Sequence, residues 1–175
     1  MSRRRRPSFI KTLRIYTDGC ALRNGQPGAK GGWAIVFEDN NEFENDSDWC
    51  TTCPQTNNCF ELKAVVAGLR TALRRGGVYY VIIVTDSKYV ISALTEWIHK
   101  WKSNNWLNCK GKPVMNRELI ETIDSMTQNM IRRGGSVRYE HVNAHSGNRW
   151  NDMADAMAKE AAAQNPIYDD SDEEY

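Results

Sequence analysis

Long apolar runs are absent from the sequence. No stretch approaches the ~20 consecutive apolar residues that a membrane-spanning helix requires, so we expect no membrane association. The basic N-terminus, MSRRRRPSF, has no apolar segment behind it, and a secretory signal is therefore not expected. These two absences predict an intracellular protein, in the cytoplasm or the nucleus.

The sequence also lacks complete cysteine and glycine signatures. Cys50 and Cys53 form a CxxC pattern with Cys59 close by, but no second CxxC follows to complete the four ligands of a structural zinc site. We favour unpaired thiols over a zinc site or a redox pair. Neither GxGxxG nor GxxxxGK[ST] occurs, so the glycines between 19 and 32 are interpreted as those of a turn-rich hairpin rather than a nucleotide loop.

Charge is ordinary in amount and uneven in distribution. The 175 residues carry a net charge of +1, with 41% hydrophobic and 26% charged residues, which is typical of one globular domain. Arg3 to Arg6 form a basic head, and residues 168–175 include five acids. We predict a basic N-terminal tail at 1–11, a catalytic domain at 12–165 and an acidic, disordered C-terminal tail at 166–175.

Hydrophobic periodicity predicts a mixed α/β architecture. Strands are expected at 12–17, 31–38 and 42–51 as an antiparallel meander, then at 78–84 and 136–142. Helices are expected at 61–75, 87–97, 116–131 and 150–163. The order βββαβααβα implies a five-stranded mixed sheet flanked by helices.

Four acidic residues stand at ends of these predicted elements. Asp18 and Asp86 close two β-prone runs, and Glu61 and Asp155 fall near helix starts. Each has a local explanation: Asp18-Gly19 as turn chemistry, Asp86 as an N-cap, Glu61 in a capping box with Asn58, and Asp155 as a partner of the helix dipole. Four carboxylates converging at one sheet edge would instead require a cation, and hard oxygen ligands favour Mg²⁺ or Mn²⁺.

Four spaced motifs resemble those of type 1 ribonuclease H. They are YTDG at 16–19, TNNCFEL at 56–62, VTDSKYV at 84–90 and HVNAHSGNRWNDMADAMAKEA at 141–161. The resemblance covers nearly the whole chain and implies the ribonuclease H-like fold. It also implies hydrolysis of the RNA strand of an RNA–DNA hybrid by two Mg²⁺ ions, with Mn²⁺ able to substitute, leaving 3′-hydroxyl and 5′-phosphate ends. The partner implied is the hybrid duplex, bound by a monomer.

The resemblance assigns roles by position. Asp18, Glu61, Asp86 and Asp155 fall on the catalytic, metal-binding carboxylates, with Asp18 bridging both ions. Asp155 would support the ion on the nucleophile side, and Glu61 and Asp86 the ion on the leaving-group side. His145 falls on a mobile histidine that assists proton movement or product release; otherwise it is a surface loop histidine.

A basic, acid-free stretch between Trp97 and Arg117 resembles the handle of many such enzymes. Its cations suit a phosphate backbone and its aromatic rings suit sugars or bases; a solvated loop whose tryptophans pack together is the alternative. The DNA-strand contacts implied by the resemblance and the composition are Thr56, Asn116, Tyr89, Trp97, Trp101, Lys100, Lys102, Lys110 and Lys112. Those implied for RNA 2′-hydroxyls are Asn24, Asn57 and Asn58.

One departure from the family pattern affects the DNA strand. Pro54 stands where related eukaryotic enzymes carry an arginine in the pocket for a DNA phosphate, and proline offers neither charge nor donor. We expect this pocket to bind the DNA phosphate more weakly, or to bind it through another residue.

Three other functions remain open at this point. A DNA-acting nuclease of the same fold, such as an integrase or resolvase, shares the first aspartate-bearing strand but neither the handle nor the HVNAHSG loop. A ribonuclease H domain released from a reverse transcriptase is a closer alternative. A non-catalytic hybrid-binding module is the alternative outside enzymes, although such a module would gain by losing negative charge near phosphates.

Overall fold

Five strands form one mixed sheet in the order β3-β2-β1-β4-β5. In this computed structural model they are β1 (Lys11–Leu22), β2 (Lys30–Phe37), β3 (Asp46–Trp49), β4 (Tyr79–Thr85) and β5 (Ser136–His141). The first three strands pair antiparallel, whereas β4 lies parallel to both β1 and β5. The predicted five-stranded mixed sheet and its antiparallel meander are confirmed.

Five α-helices accompany the sheet in the part of the chain that the structure describes. They are α1 (Asn57–Arg74), α2 (Lys88–Ser92), α3 (Ile98–Ser103), α4 (Arg117–Arg132) and α5 (Arg149–Gln164). A π-helical turn at Ala93–Trp97 joins α2 to α3. The helix predicted over 87–97 therefore continues to Ser103, in three segments.

The structure describes residues 11–39 and 42–167. The basic head at Arg3 to Arg6 and the acids of the C-terminal tail lie outside the described residues, so the tail boundaries at 1–11 and 166–175 stay predictions. Within the described part of the chain, no helix has the length and apolar character needed to cross a membrane.

Apolar side chains are buried on both faces of the sheet. On one face Leu13 and Ile15 of β1 pack with Leu62 of α1 and Ile120 of α4. On the other face Tyr16, Val36 and Val84 pack with Ala154 of α5. Because β1 is the middle strand, it is covered on both sides, and its residues from Ile15 to Gly19 are buried without interruption.

Two adjacent glycines in β2 allow the helices to approach the sheet closely. A Cβ at Gly31 would lie 1.8 Å from the ring of Phe60 in α1, and a Cβ at Gly32 would lie 2.4 Å from the backbone nitrogen of Ala162 in α5. Any larger residue at either position would push a helix away from the sheet.

Two predicted boundaries are wrong for local reasons. β3 begins at Asp46 rather than near 42, because the side chain of Asn45 accepts a hydrogen bond from the Phe37 backbone N–H at 2.9 Å and takes the place of a strand partner. Helix α1 begins at Asn57 rather than 61, with Thr56 as its N-cap. Asn58 is therefore inside the helix and does not form a capping box with Glu61.

Candidate active site

Asp18 and Asp86 lie at equivalent positions beyond one parallel pair of strands. Tyr16 of β1 pairs with Val84 of β4 as the last pair of that ladder, and each aspartate follows two residues later. Asp18 remains within β1, opposite Ala34 of β2, so it is not a turn residue. The N-cap of α2 is Ser87, not Asp86. Neither aspartate is therefore explained by the local role that the sequence left open.

Glu61 is brought to the same place by the packing of α1 on β1. A Cβ at Gly19 would lie 2.0 Å from the backbone nitrogen of Glu61, so the first turns of α1 rest directly on the strand next to Asp18. Glu61 is 8% exposed and Asp18 is 7% exposed. This close contact, rather than helix capping, positions the glutamate.

The three carboxylates form one cluster. Asp18, Glu61 and Asp86 each offer an oxygen, and these three oxygens all lie within 4.8 Å of one another. Among the described residues, this is the only group of three or more histidine, cysteine or acidic side chains placed so closely. We call these three residues the carboxylate trio.

The electrostatics of the carboxylate trio are unfavourable without a counter-ion. Burial raises the pKa of Asp18 from 3.8 to about 7, and the charges of Asp86 and Asp155 add to the rise. Burial likewise raises the pKa of Glu61 well above its usual value, with Asp18 and Asp86 adding to it. Desolvation and like charges both penalise the ionised forms.

The donor set suits a hard divalent cation. Oε2 of Glu61 is buried and has no hydrogen-bond partner, although a buried carboxylate oxygen left unpartnered is costly. Three oxygens converge there with no lysine, arginine or histidine in ion-pair contact with Glu61 among the described residues. A bound divalent cation would satisfy this unpartnered oxygen and offset the repulsion.

Asp155 lies near the carboxylate trio but is not a member of it. It is in the second turn of α5, and its charge raises the pKa values of both Asp18 and Glu61. Its Oδ2 accepts from Nζ of Lys159 at 2.7 Å. Lys159 was not predicted from the sequence, although its four-residue spacing from Asp155 on a helix is a signal for such a pair.

His145 lies in the exposed loop between β5 and α5. Its backbone φ is 52°, a left-handed conformation, and the next turn contains Gly147 with φ 81°. Asn148 closes this loop by accepting the backbone N–H groups of Trp150 and Asn151 as the N-cap of α5. The loop thus places His145 on the surface, on the chain segment that leads to Asp155.

The asparagines assigned to RNA contact lie around the start of α1. The Asn24 side chain accepts from the Asn57 backbone N–H at 3.2 Å, and the Asn57 side chain accepts from the Ala21 N–H at 2.7 Å. Asn58 is the next residue along and is exposed. The structure therefore brings Asn24 and Asn57 together, beside the strand that carries Asp18.

The two residues assigned to the DNA phosphate lie at the starts of two helices. Thr56 caps α1, its hydroxyl accepting from the Cys59 N–H at 3.3 Å. Asn116 precedes α4 with φ 59°, and its side-chain nitrogen donates to the Tyr89 hydroxyl at 3.4 Å. Asn116 also lines an open cleft together with Pro54 and Lys63. Lys63 was not predicted from the sequence, because its position facing this cleft depends on how α1 and α4 pack.

The aromatic residues of the handle form a row of ring contacts. Centroid distances are 6.0 Å for Tyr89–Trp97, 5.7 Å for Trp97–Trp101 and 6.1 Å for Trp101–Trp106. Trp106 is buried, whereas Trp97 is 41% exposed at the end of the π-helical turn. Packing of the tryptophans on one another is therefore compatible with contact to nucleic acid, since the row is buried at Trp106 and accessible at Trp97.

The four handle lysines differ in their surroundings. Lys102 forms an ion pair with Asp124 of α4 at 2.6 Å. Lys100, Lys110 and Lys112 are exposed, and no ion pair within the described part of the chain involves them. Arg117, at the end of the handle, lies over the Trp106 ring at 5.1 Å and pairs with Glu121 at 3.0 Å.

Comparison with known proteins identifies relatives over most of the chain. Residues 11–163 match the family model described as RNase H. The protein named ribonuclease H from Cyanothece sp. strain PCC 7425 is 38% identical over 152 residues, covering 86% of this chain and 88% of the relative. That from Tropheryma whipplei strain Twist is 39% identical over 146 residues, covering 83% and 81%. That from Idiomarina loihiensis is 33% identical over 163 residues, covering 93% and 96%.

Solved structures share the fold. LC9-RNase H1, described as a type 1 RNase H with the type 2 active-site motif, superposes with a TM-score of 0.72 at 25% identity over 89% of this chain and 74% of its own. The foamy viral protease-reverse transcriptase in complex with RNA/DNA hybrid superposes with a TM-score of 0.70 at 24% identity. That match covers 93% of this chain and 21% of the viral chain, and it extends to the fold alone.

Proposed function

The chain belongs to the ribonuclease H family and is an RNA–DNA hybrid endoribonuclease, and we propose that it cuts the RNA strand with four catalytic carboxylates, those of Asp18, Glu61, Asp86 and Asp155. The observation that carries the proposal is the carboxylate trio, whose buried Glu61 oxygen has no partner and whose three oxygens lie within 4.8 Å of one another. The proposed products carry 3′-hydroxyl and 5′-phosphate ends.

We infer that two Mg²⁺ ions, or Mn²⁺ in their place, bind this site. When bound, such ions supply activation of the attacking water and stabilisation of the leaving oxygen. Asp18, Glu61 and Asp86 would hold one ion, since their oxygens already converge. Asp18 and Asp155 would hold the other, and Asp155 must first exchange its contact with Lys159. His145, on its exposed loop, would assist proton movement or product release.

The hybrid is proposed to lie across the start of α1 with one strand on each side. Asn24, Asn57 and Asn58 would donate to RNA 2′-hydroxyls beside Asp18. Thr56 and Asn116 would hold a DNA phosphate, with Lys63 supplying the charge that Pro54 does not. The exposed Trp97 and the handle lysines would contact the DNA backbone further along, past the phosphate held by Thr56 and Asn116. A monomeric state and an intracellular location stay predictions.

A substrate panel tests the activity. Purified protein is incubated with labelled RNA–DNA hybrid, duplex RNA, duplex DNA and single-stranded RNA, each with Mg²⁺ and with EDTA. We expect only the hybrid to be cut, and only with metal. Cleavage of duplex DNA would favour an integrase-like or resolvase-like nuclease, and binding without cleavage would favour a hybrid-binding module.

The Asp86→Asn variant tests the site itself. It removes one ligand charge with little change in shape, so we expect a folded protein that binds hybrid with wild-type affinity and loses nearly all cleavage. Asp48→Asn is the matched control, because Asp48 is exposed on β3 and outside the carboxylate trio. Near-normal turnover by Asp86→Asn in Mg²⁺ would refute the metal assignment.

A further inference from the structure

Three cysteines surround one cleft next to the proposed DNA-strand contacts. Cys50 and Cys53 lie in the segment 50–56 that joins β3 to α1, and Cys59 lies in the first turn of α1. All three line the cleft that Asn116 and Lys63 also line, with a volume of about 630 Å³. The three cysteines are unpaired, and their sulfurs do not form a metal-ligand cluster among the described residues.

The segment that carries Cys50 and Cys53 is held in place by Gln55. Its Nε2 donates to the backbone carbonyl of Cys50 at 2.7 Å and to that of Cys53 at 2.8 Å. Its Oε1 accepts from the Gly31 N–H at 2.8 Å and from Asn165 at 3.2 Å. Gln55 therefore fixes both cysteines of the CxxC relative to each other and to the sheet.

Cys50 has the surroundings of a reactive thiol. Its sulfur lies 3.5 Å from the Thr52 hydroxyl, and it is partly exposed in the cleft. Burial alone would raise the pKa of Cys50, but the side chains of Thr52 and Cys53, the Thr52 backbone N–H and the charge of Lys63 lower it to about 7. The thiolate is the nucleophile in disulfide exchange, so this environment favours attack by Cys50.

Cys53 has the complementary character of a second thiol held beside the first. Its sulfur lies 3.8 Å from the Cys50 carbonyl oxygen. Burial and the Cys50 side chain both raise the pKa of Cys53, so Cys53 is the less readily ionised of the two thiols. Thiol–disulfide exchange uses such a pair, in which one thiol ionises readily and attacks while a neighbouring thiol stays protonated.

We propose that Cys50 and Cys53 form a reversible thiol–disulfide exchange site, in which Cys50 attacks a low-molecular-weight disulfide and Cys53 resolves the product. In the first step the Cys50 thiolate attacks one sulfur of the disulfide, forming a mixed disulfide and releasing one thiolate. In the second step Cys53 loses its proton and attacks the Cys50 sulfur, releasing the second thiolate. The two cysteines lose two electrons, and one disulfide becomes two thiols.

The same site regulates binding of the hybrid, a consequence that rests on the proposed function. A Cys50–Cys53 bond takes the Cys50 sulfur away from Thr52 and reshapes the segment that carries Thr52 and Pro54, opposite Asn116. The carboxylate trio contains no residue of this segment. Oxidation therefore weakens the DNA-strand contact and leaves the chemistry of cleavage intact.

The chemical step is tested with oxidised glutathione on the full chain, followed by alkylation and peptide mapping. We expect wild-type protein to lose two hydrogen atoms, with Cys50 and Cys53 joined and protected from alkylation. Cys53→Ser should instead accumulate glutathione on Cys50, and Cys50→Ser should form neither product. Cys109→Ser, which removes an exposed cysteine in the handle, should behave as wild type. A stable mixed disulfide on Cys50 in the wild type, or no reaction there, would overturn the proposal.

A threonine pair tests why Cys50 reacts. Thr52→Val keeps the side-chain shape but removes the hydroxyl, so we expect alkylation of Cys50 at neutral pH to slow roughly three- to tenfold. Thr51→Val is the matched control, since no hydrogen bond within the described residues joins Thr51 to Cys50. Equal rates in the two variants would show that Thr52 does not activate the thiol.

Cleavage kinetics test the regulatory consequence. Oxidation should raise KM for the hybrid roughly two- to tenfold with kcat unchanged, and a thiol reductant should restore it. Cys50→Ser should show the KM of the reduced wild-type protein both after oxidation and after treatment with the reductant. An unchanged KM in fully oxidised protein would refute the regulation. The mass measurement does not depend on cleavage, so it stands whether or not the proposed function holds.

Discussion

Gly19 and Glu61 touch through their backbones. A Cβ at position 19 would lie 2.0 Å from the Glu61 nitrogen and 2.2 Å from the Phe60 carbonyl carbon, distances that real Cβ atoms essentially never show. Because both neighbours are backbone atoms, no side-chain rotation can make room. The close approach of α1 to β1 therefore depends on the absence of a side chain at Gly19, and this approach sets the separation between Asp18 and Glu61.

We expect Gly19→Ala to impair both stability and cleavage. The added methyl forces α1 away from β1, at a cost of about 2–3 kcal/mol in the free energy of unfolding, and it separates two of the clustered carboxylates. Urea denaturation and kcat at saturating hybrid measure the two effects. Gly76→Ala is the control: position 76 has φ 75° but open space, so we expect a loss of about 1 kcal/mol and unchanged kcat. Wild-type kcat in Gly19→Ala would show that this spacing does not control the site.

The position of the two aspartates was predictable from local patterns in the sequence, whereas Glu61 was grouped with them only through the family resemblance. Asp18 and Asp86 each follow a strongly β-prone run, and parallel strands bring their carboxyl ends to one edge. Glu61 fits a capping box with Asn58 on spacing alone, yet α1 starts earlier, at Asn57, with Thr56 as its N-cap. What places Glu61 is the tertiary contact with Gly19, and short-range patterns carry no information about such contacts.

The resemblance to a family supplied what periodicity could not. Asn24 and Asn57, the asparagines proposed to contact the RNA, are 33 residues apart and meet only because β1 and β2 turn back beside α1. The cleft shared by Lys63 and Asn116 likewise depends on the packing of α1 against α4. Lys63 was not predicted as a residue of this cleft, because one lysine among many in a helix has no distinguishing signal in the sequence.

The stability of the metal-free protein should fall as pH rises. The folded-state pKa of Asp18 is raised to about 7 from 3.8, so its contribution is fully present below about pH 4 and is lost as pH rises to about 7. Between about pH 5 and about pH 8 we expect a loss of at most about 2–3 kcal/mol in EDTA, to which Glu61 adds in the same direction.

Chemical denaturation with EDTA and with Mg²⁺ measures this loss. Mg²⁺ should restore more stability at the higher pH, because it binds the ionised carboxylates. Asp18→Asn should show a flatter pH dependence and little response to Mg²⁺. A wild-type protein whose stability in EDTA is the same at both pH values would contradict the strained, buried state of Asp18.

Removal of Lys159 should strengthen metal binding. Its ammonium pairs with Asp155 and lowers the pKa of Asp18, so it competes with a cation for the same carboxylates. We expect Lys159→Gln to raise Mg²⁺ affinity by up to about fivefold, the effect of a contact worth at most about 1 kcal/mol at a partly exposed site. Calorimetric titration without nucleic acid measures it. Lys11→Gln, which breaks the ion pair with Glu42 at the far end of β1, should leave the affinity unchanged; equal affinities in both variants would contradict the competition.

Lys110 should contribute more to hybrid binding than Lys102. Each phosphate contact adds about 0.7–0.9 to the slope of log affinity against log salt concentration. Lys110 is exposed without an ion pair in the described part of the chain, whereas Lys102 is already partly neutralised by Asp124 at 2.6 Å. Lys110→Ala should therefore lower the slope by about 0.7–0.9 and Lys102→Ala by clearly less. Binding is measured over a salt series in the Asp86→Asn background, where the hybrid is not cut. Asp124→Asn in that background should steepen the slope by releasing Lys102; equal slopes for all three variants would mean that the handle does not contact the phosphates.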